Sequence, residues 1–147
     1  MSWKQLLSAR KVHPHTTSKA ELDELRAVIR RDLADAAIPA LSEDRRFATA
    51  YNAALQTAKI AIAAAGYRLG AVPGHHALSF ECAGLALGKQ ANTIIQFFDA
   101  CRRKRNIIDY TGAQIATATE ATEVLERAGQ FLAMVEAWIK AHHPNLV

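Results

Sequence analysis

The 147-residue chain has little of what punctuates or cross-links a fold. It contains two cysteines, four prolines and seven glycines, and aromatic residues make up only 7%. Cys82 and Cys101 stand apart, with no CxxC pair and no secretory leader. That excludes a disulfide framework and predicts two reduced, partly buried thiols in a cytoplasmic protein. The apolar part of MSWKQLLSARK is too short for a signal peptide, and the greasiest segment, IAIAAAGY, is far too short to span a bilayer, so no membrane association is expected. GxGxxG, GK[ST], GxSxG and HExxH are all missing, which leaves dinucleotide, P-loop, serine hydrolase and zincin chemistry without support. No cofactor is expected.

What is present suits one helical domain. With 50% hydrophobic and 22% charged residues, a chain of this length can bury a proper core. Ala, Leu, Glu, Lys, Arg and Gln dominate, no alternating β-branched run appears, and the prolines fall between helix-like stretches, so the fold class is predicted to be all-α. A first long helix begins after Ser18, which has capping-box spacing to Glu21, and carries Leu22, Leu25, Ile29, Leu33 and Ala36 on one face before Pro39. Ser42 caps a second, in which Phe47, Tyr51, Ala54, Ala58, Ile62 and Ala65 recur at helical spacing until Gly66.

After the loop GYRLGAVPG, HHALSFECAGLAL gives a shorter helix, and Gly88 precedes another that runs to Tyr110, Thr111 and Gly112. The last places Ala121, Val124, Leu125, Ala128, Leu132, Val135 and Ile139 on one face. Short loops favour antiparallel neighbours. The architecture expected is an up-and-down four-helix bundle with extra short helices, one of them near Trp3. It divides into an N-terminal extension (1–17), the bundle (18–142) and a C-terminal tail (143–147).

The stretch CRRKRNIIDY, residues 101–110, breaks the pattern. Ile94, Phe98 and Cys101 form one stripe, and its next steps land on Arg105 and Asp109 rather than on apolar residues. Arg102 and Asn106 are four apart, Arg105 and Asp109 four, and Arg102 and Asp109 seven, so all four can share one side, whereas Arg103 and Lys104 read as solvated charges. Two readings of Arg105 and Asp109 stand side by side. One is an ion pair that closes the bundle. The other is an anion site: a guanidinium fixed by aspartate is a rigid fork of donors suited to phosphate oxygens, with Asn106 adding neutral donors and acceptors, so RNA or a nucleotide would fit.

RRKRNIIDY resembles the signature of the HEPN superfamily of small helical domains. The helix pattern in RFATAYNAALQTAKIAIAAAGYR and the following Gly-His turn GHHALSFE agree with it, and the likeness runs from about Ser18 to His142. It is similar to a bacterial group often encoded beside minimal nucleotidyltransferases in toxin and antitoxin pairs. The resemblance implies a homodimer whose two motif helices meet in a composite site, a possible nucleotidyltransferase partner, and metal-independent ribonuclease activity in active relatives.

Arg105 matches the family's arginine. Five residues later, where the family has histidine, this chain has Tyr110. Tyrosine, with a reference pKa of about 10, is a poor base at neutral pH. It can still donate a proton or hydrogen bond to a leaving oxygen, or be nucleotidylated. The resemblance therefore makes Arg105 and Tyr110 the candidate catalytic residues and Arg102, Asn106 and Asp109 the candidate substrate-binding ones. The alternative is a non-catalytic interaction module that docks a nucleotidyltransferase.

Other groups carry less. His13 with His15, His75 with His76, and His142 with His143 lack cysteine partners, and neighbours on a helix point about 100° apart, so no metal site is expected. One of His75 and His76 is open to capping a helix or reaching the Arg105 site, against the plainer reading of a loop histidine. Tyr51 and Asn52 are read as belonging to the bundle, Tyr51 as core.

Overall fold

A computed structural model describes residues 1–111 and 114–147 of the chain. Six helices are present among them: α1 (Trp3–Ser8), α2 (Lys19–Ala36), α3 (Glu43–Ala64), α4 (His75–Leu87), α5 (Asn92–Thr111) and α6 (Ala118–His142). Two short strands, β1 (Val12–Pro14) and β2 (Tyr67–Leu69), pair antiparallel with Val12 opposite Leu69 and Pro14 opposite Tyr67. The protein is all-α apart from this two-stranded ribbon. Gly112, expected to help end α5, lies outside the described residues.

The helix ends have local causes. Ser18 and Ser42 accept hydrogen bonds from the backbone N–H of Glu21 and Arg45, each 3.2 Å, which satisfies donors that the first turn leaves orphaned. The reciprocal half of a capping box at Ser18 is not made, because the Glu21 carboxylate turns to His15 Nε2 at 2.8 Å. Thr117 and Glu120 do complete a box at α6. α4 stops at Gly88, whose φ of 83° is open to glycine and strained for any residue with a Cβ.

The centre is α3. It contacts α2, α4, α5 and α6, and its alanines let the neighbours approach closely. Phe80, Phe98 and Phe131 meet beside it, with ring centroids 5.7 Å and 5.6 Å apart. All three are fully buried. Each such ring is worth about 1.5–3 kcal/mol over leaving it in water.

Residues 1–17 do not trail away from the bundle. Leu6 and Val12 join Ile62, Leu78 and Cys82 in a satellite core, and Trp3 stacks on Tyr67 at 4.1 Å. Both cysteines are buried, and burial raises their thiols, Cys82 to about 11 and Cys101 to about 12. No described helix is long and apolar enough to cross a membrane.

Two polar side chains sit on the buried face of α2 among Leu22, Ile29 and Ala36. Arg26, 5% exposed, donates from Nε to Glu136, from Nη1 to Asp23 and from Nη2 to the Leu146 carbonyl, at 3.0, 2.9 and 2.7 Å. It pins α2 to α6 and to the chain's last turn. Asp32 accepts from Asn52 Nδ2 at 2.7 Å and so ties α2 to α3.

Candidate functional site

The C-terminal half of α5 carries the charged stretch. Arg105 continues the stripe of Ile94, Phe98 and Cys101, so its stem lies toward the bundle and its side chain is 28% exposed. Its Nη1 donates to Asp109 one turn on. Its Cζ lies 5.9 Å from the centroid of the Tyr51 ring, within the roughly 6 Å reach of a cation–π contact. Nε is buried without a hydrogen-bond partner. The guanidinium is thus held between a carboxylate and an aromatic face while part of its donor set is unused.

Tyr51 connects this arginine to α4. The ring is fully buried, as the sequence predicts, and its hydroxyl lies 3.3 Å from His76 Nδ1. Burial pushes the Tyr51 hydroxyl up to about 12, partly opposed by the positive charges of Arg105 and Arg102. Burial lowers His76 first, and His75, Arg105, Lys59 and Arg102 lower it further. A protonated Tyr51 hydroxyl can therefore donate to Nδ1 of a neutral imidazole whose own proton sits on Nε2. Among the described residues Nε2 has no hydrogen-bond partner. His76 is not a loop histidine but a residue of the first turn of α4, linked through one side chain to Arg105.

Arg105 and Asp109 line a polar cavity of about 740 Å³ between α2, the first half of α3 and the end of α5. Its carboxylates are already engaged. Asp32 accepts from Asn52, Asp109 pairs with Arg105, and Asp44 accepts from the backbone N–H groups of Ile115 and Ala116 at 2.9 and 2.6 Å. Gln114 donates to Glu43 at 2.9 Å, which lowers the Glu43 carboxyl and fixes the segment beyond α5 against α3. The Arg45 guanidinium, exposed at the rim, and the neutral Thr49 hydroxyl are left without side-chain partners among the described residues, and Asp44 is met only by uncharged backbone donors.

The other candidates lie elsewhere on α5. Arg102 donates to Asp99 at 3.2 Å and does not line this cavity, though its charge reaches both Tyr51 and His76. Asn106 is exposed, and so is Tyr110, at 89%. Lys104 differs from the sequence reading: it is no freely solvated charge but an ion-pair partner of Glu120, whose carboxyl it lowers, and it ties α5 to the start of α6. Arg103 is the solvated member of the run.

Asp32, Asp44 and Arg45 are residues of this region that sequence reasoning passed over, and His76 is the member of the His75 and His76 pair that reaches it, through Tyr51. Asp32 sits beside Leu33, which periodicity had marked, but nothing in spacing says that a histidine in α4 reaches a tyrosine in α3. Among the described residues no three His, Cys, Asp or Glu side chains converge as metal ligands.

The family model for the HEPN domain matches residues 30–138, from the second half of α2 through most of α6. No curated protein and no solved structure matches the chain.

Proposed function

The chain belongs to the HEPN domain family, and from that premise we propose that it binds RNA or a nucleotide through Arg105 and its neighbours, as a homodimer. The observation that carries this is a guanidinium clamped by Asp109 and the Tyr51 ring at the wall of a polar cavity, with the Arg45 guanidinium at the rim and without a side-chain partner among the described residues. A fixed fork needs no reordering to meet a phosphate, and it gives bidentate bonds that a point charge cannot. Arg102, Asn106 and Tyr110 extend the contact along α5, and Asp109 orients Arg105.

A ribonuclease activity would need two things at the phosphorus: charge stabilisation, which Arg105 supplies, and proton transfer from the ribose 2′-hydroxyl and to the leaving oxygen. Tyr110 is the α5 candidate for the second role. Cleavage of single-stranded RNA in the presence of EDTA tests it: the expected outcome is metal-independent cleavage abolished in Arg105→Ala. Cleavage unchanged in that variant would remove the catalytic reading. Binding is tested separately with Arg105→Lys, which keeps the charge and loses the fork. Lost charge-assisted bonds of about 1.5–3 kcal/mol correspond to roughly ten- to hundredfold weaker binding of a labelled RNA, in a protein with unchanged helicity.

A second reading draws on Tyr110, whose 89% exposure leaves its hydroxyl open to a modifying enzyme or a docking partner. On that reading the protein is a non-catalytic module for a minimal nucleotidyltransferase, and Arg105→Lys lowers stability while partner binding persists.

A further inference from the structure

We propose that a second cavity, at the other end of α3 and independent of the Arg105 site, binds a small organic anion with an apolar body. It measures about 690 Å³, inside the range of roughly 300–1,000 Å³ usual for small-molecule sites, and lies between α2, the last two turns of α3, β2 and the start of α4. Its floor is apolar, made by Leu25, Ile62, Ala63 and Val72, with the Tyr67 ring as a wall. Lys59, Arg68 and His75 stand around it.

The walls are built rather than incidental. Tyr67 is held by the Trp3 ring stacked on it at 4.1 Å and 8°. Gly70 donates to the Lys11 carbonyl at 2.8 Å, and a Cβ there would come within 2.8 Å of the Arg10 carbonyl oxygen, so only glycine lets the loop close against β1. Ile62 and Val72 belong to the satellite core that the N-terminal segment completes. The loop that shapes the cavity is therefore fastened on both sides.

Charge decides the class of ligand. Glu21 is the one carboxylate lining the cavity, and His15 holds it at 2.8 Å. Lys59 and Arg68 have no carboxylate or hydrogen-bond partner among the described residues. Two uncommitted cations over an apolar floor with an aromatic wall match a molecule with one anionic head and a flat or aliphatic body. A nucleoside monophosphate and a medium-chain carboxylate share that chemistry.

Anilinonaphthalene sulfonate, an aromatic body with one anionic head, is a direct probe. Titration into the purified full chain should give saturable enhancement of dye fluorescence with one site per chain. Lys59→Gln combined with Arg68→Gln should weaken it by at least about tenfold, the size expected for losing even one charge-assisted bond to the head group. Ala71→Trp, which fills the cavity from its exposed loop, should abolish it, and Arg105→Ala should leave it unchanged. Competition then identifies the body: displacement by adenosine monophosphate points to a nucleotide, by decanoate to an acyl carboxylate. Non-saturable binding, affinity kept within about twofold in the double variant, loss in Arg105→Ala, or displacement by neither competitor would overturn the assignment. None of these outcomes bears on RNA binding at Arg105, which is measured separately.

Discussion

At the scale of single residues, the link from Arg105 through Tyr51 to His76 makes a pH dependence that can be measured. The imidazole is lowered in the folded state, by burial and then by the surrounding positive charge. The unfolded chain therefore binds a proton near pH 6.5 that the folded chain refuses, and stability rises with pH wherever the unfolded state holds more protons. The contribution is complete above that pH and is lost as the solution is acidified. His76→Gln keeps a hydrogen-bonding side chain but cannot titrate, so urea midpoints between about pH 7 and 5 should fall less steeply than in the parent. An identical slope in both proteins would show that His76 is not the group responsible. Periodicity in the sequence reaches Arg105 and Asp109 because they interrupt an apolar stripe. It does not reach Arg26 and Asp32, which are far more buried, because their partners are 110 and 20 residues away and only the packed helices bring them together.

At the scale of elements, the helices are legible because their causes are local. A serine before an apolar period, a glycine after it and proline in the gaps need no tertiary information, and Ser18, Ser42 and Gly88 act where those rules put them. The ribbon of β1 and β2 is not legible: strands of three residues are too short to show alternation, and the pairing spans more than fifty residues. The start of α6 shows how local and distant terms combine. Thr117 accepts from the Glu120 N–H at 3.1 Å, Glu120 answers to the Thr117 N–H at 3.0 Å, and the same carboxylate takes Lys104 from α5. Thr117→Ala removes the cap and frees the box, so it should cost about 1 kcal/mol in chemical denaturation, with the m-value unchanged. A cost near zero would mean that packing of Ala121 and Val124 alone fixes where α6 begins.

For the whole molecule, the question is what the far side of α5 meets. Asn106, Ile107 and Tyr110 follow Arg103 by three, four and seven residues, all four are exposed, and Ile107 at 48% and Tyr110 at 89% leave apolar surface in water beside an arginine. Tyrosine and arginine around an aliphatic side chain are the residues that interface centres favour, and an isologous contact across a two-fold axis would bring both copies of this face together. On the proposed homodimer, light scattering should give about twice the 16.0 kDa chain mass for the parent. Ile107→Glu sets two carboxylates against each other at the axis, so it should give a monomer with unchanged circular dichroism. If the composite site needs both chains, RNA affinity should fall in the same variant although Arg105 is untouched. A parent of single-chain mass would end the dimer reading. An Ile107→Glu protein that stays dimeric would move the interface to another face, and RNA affinity kept by a true monomer would assign the whole site to one chain.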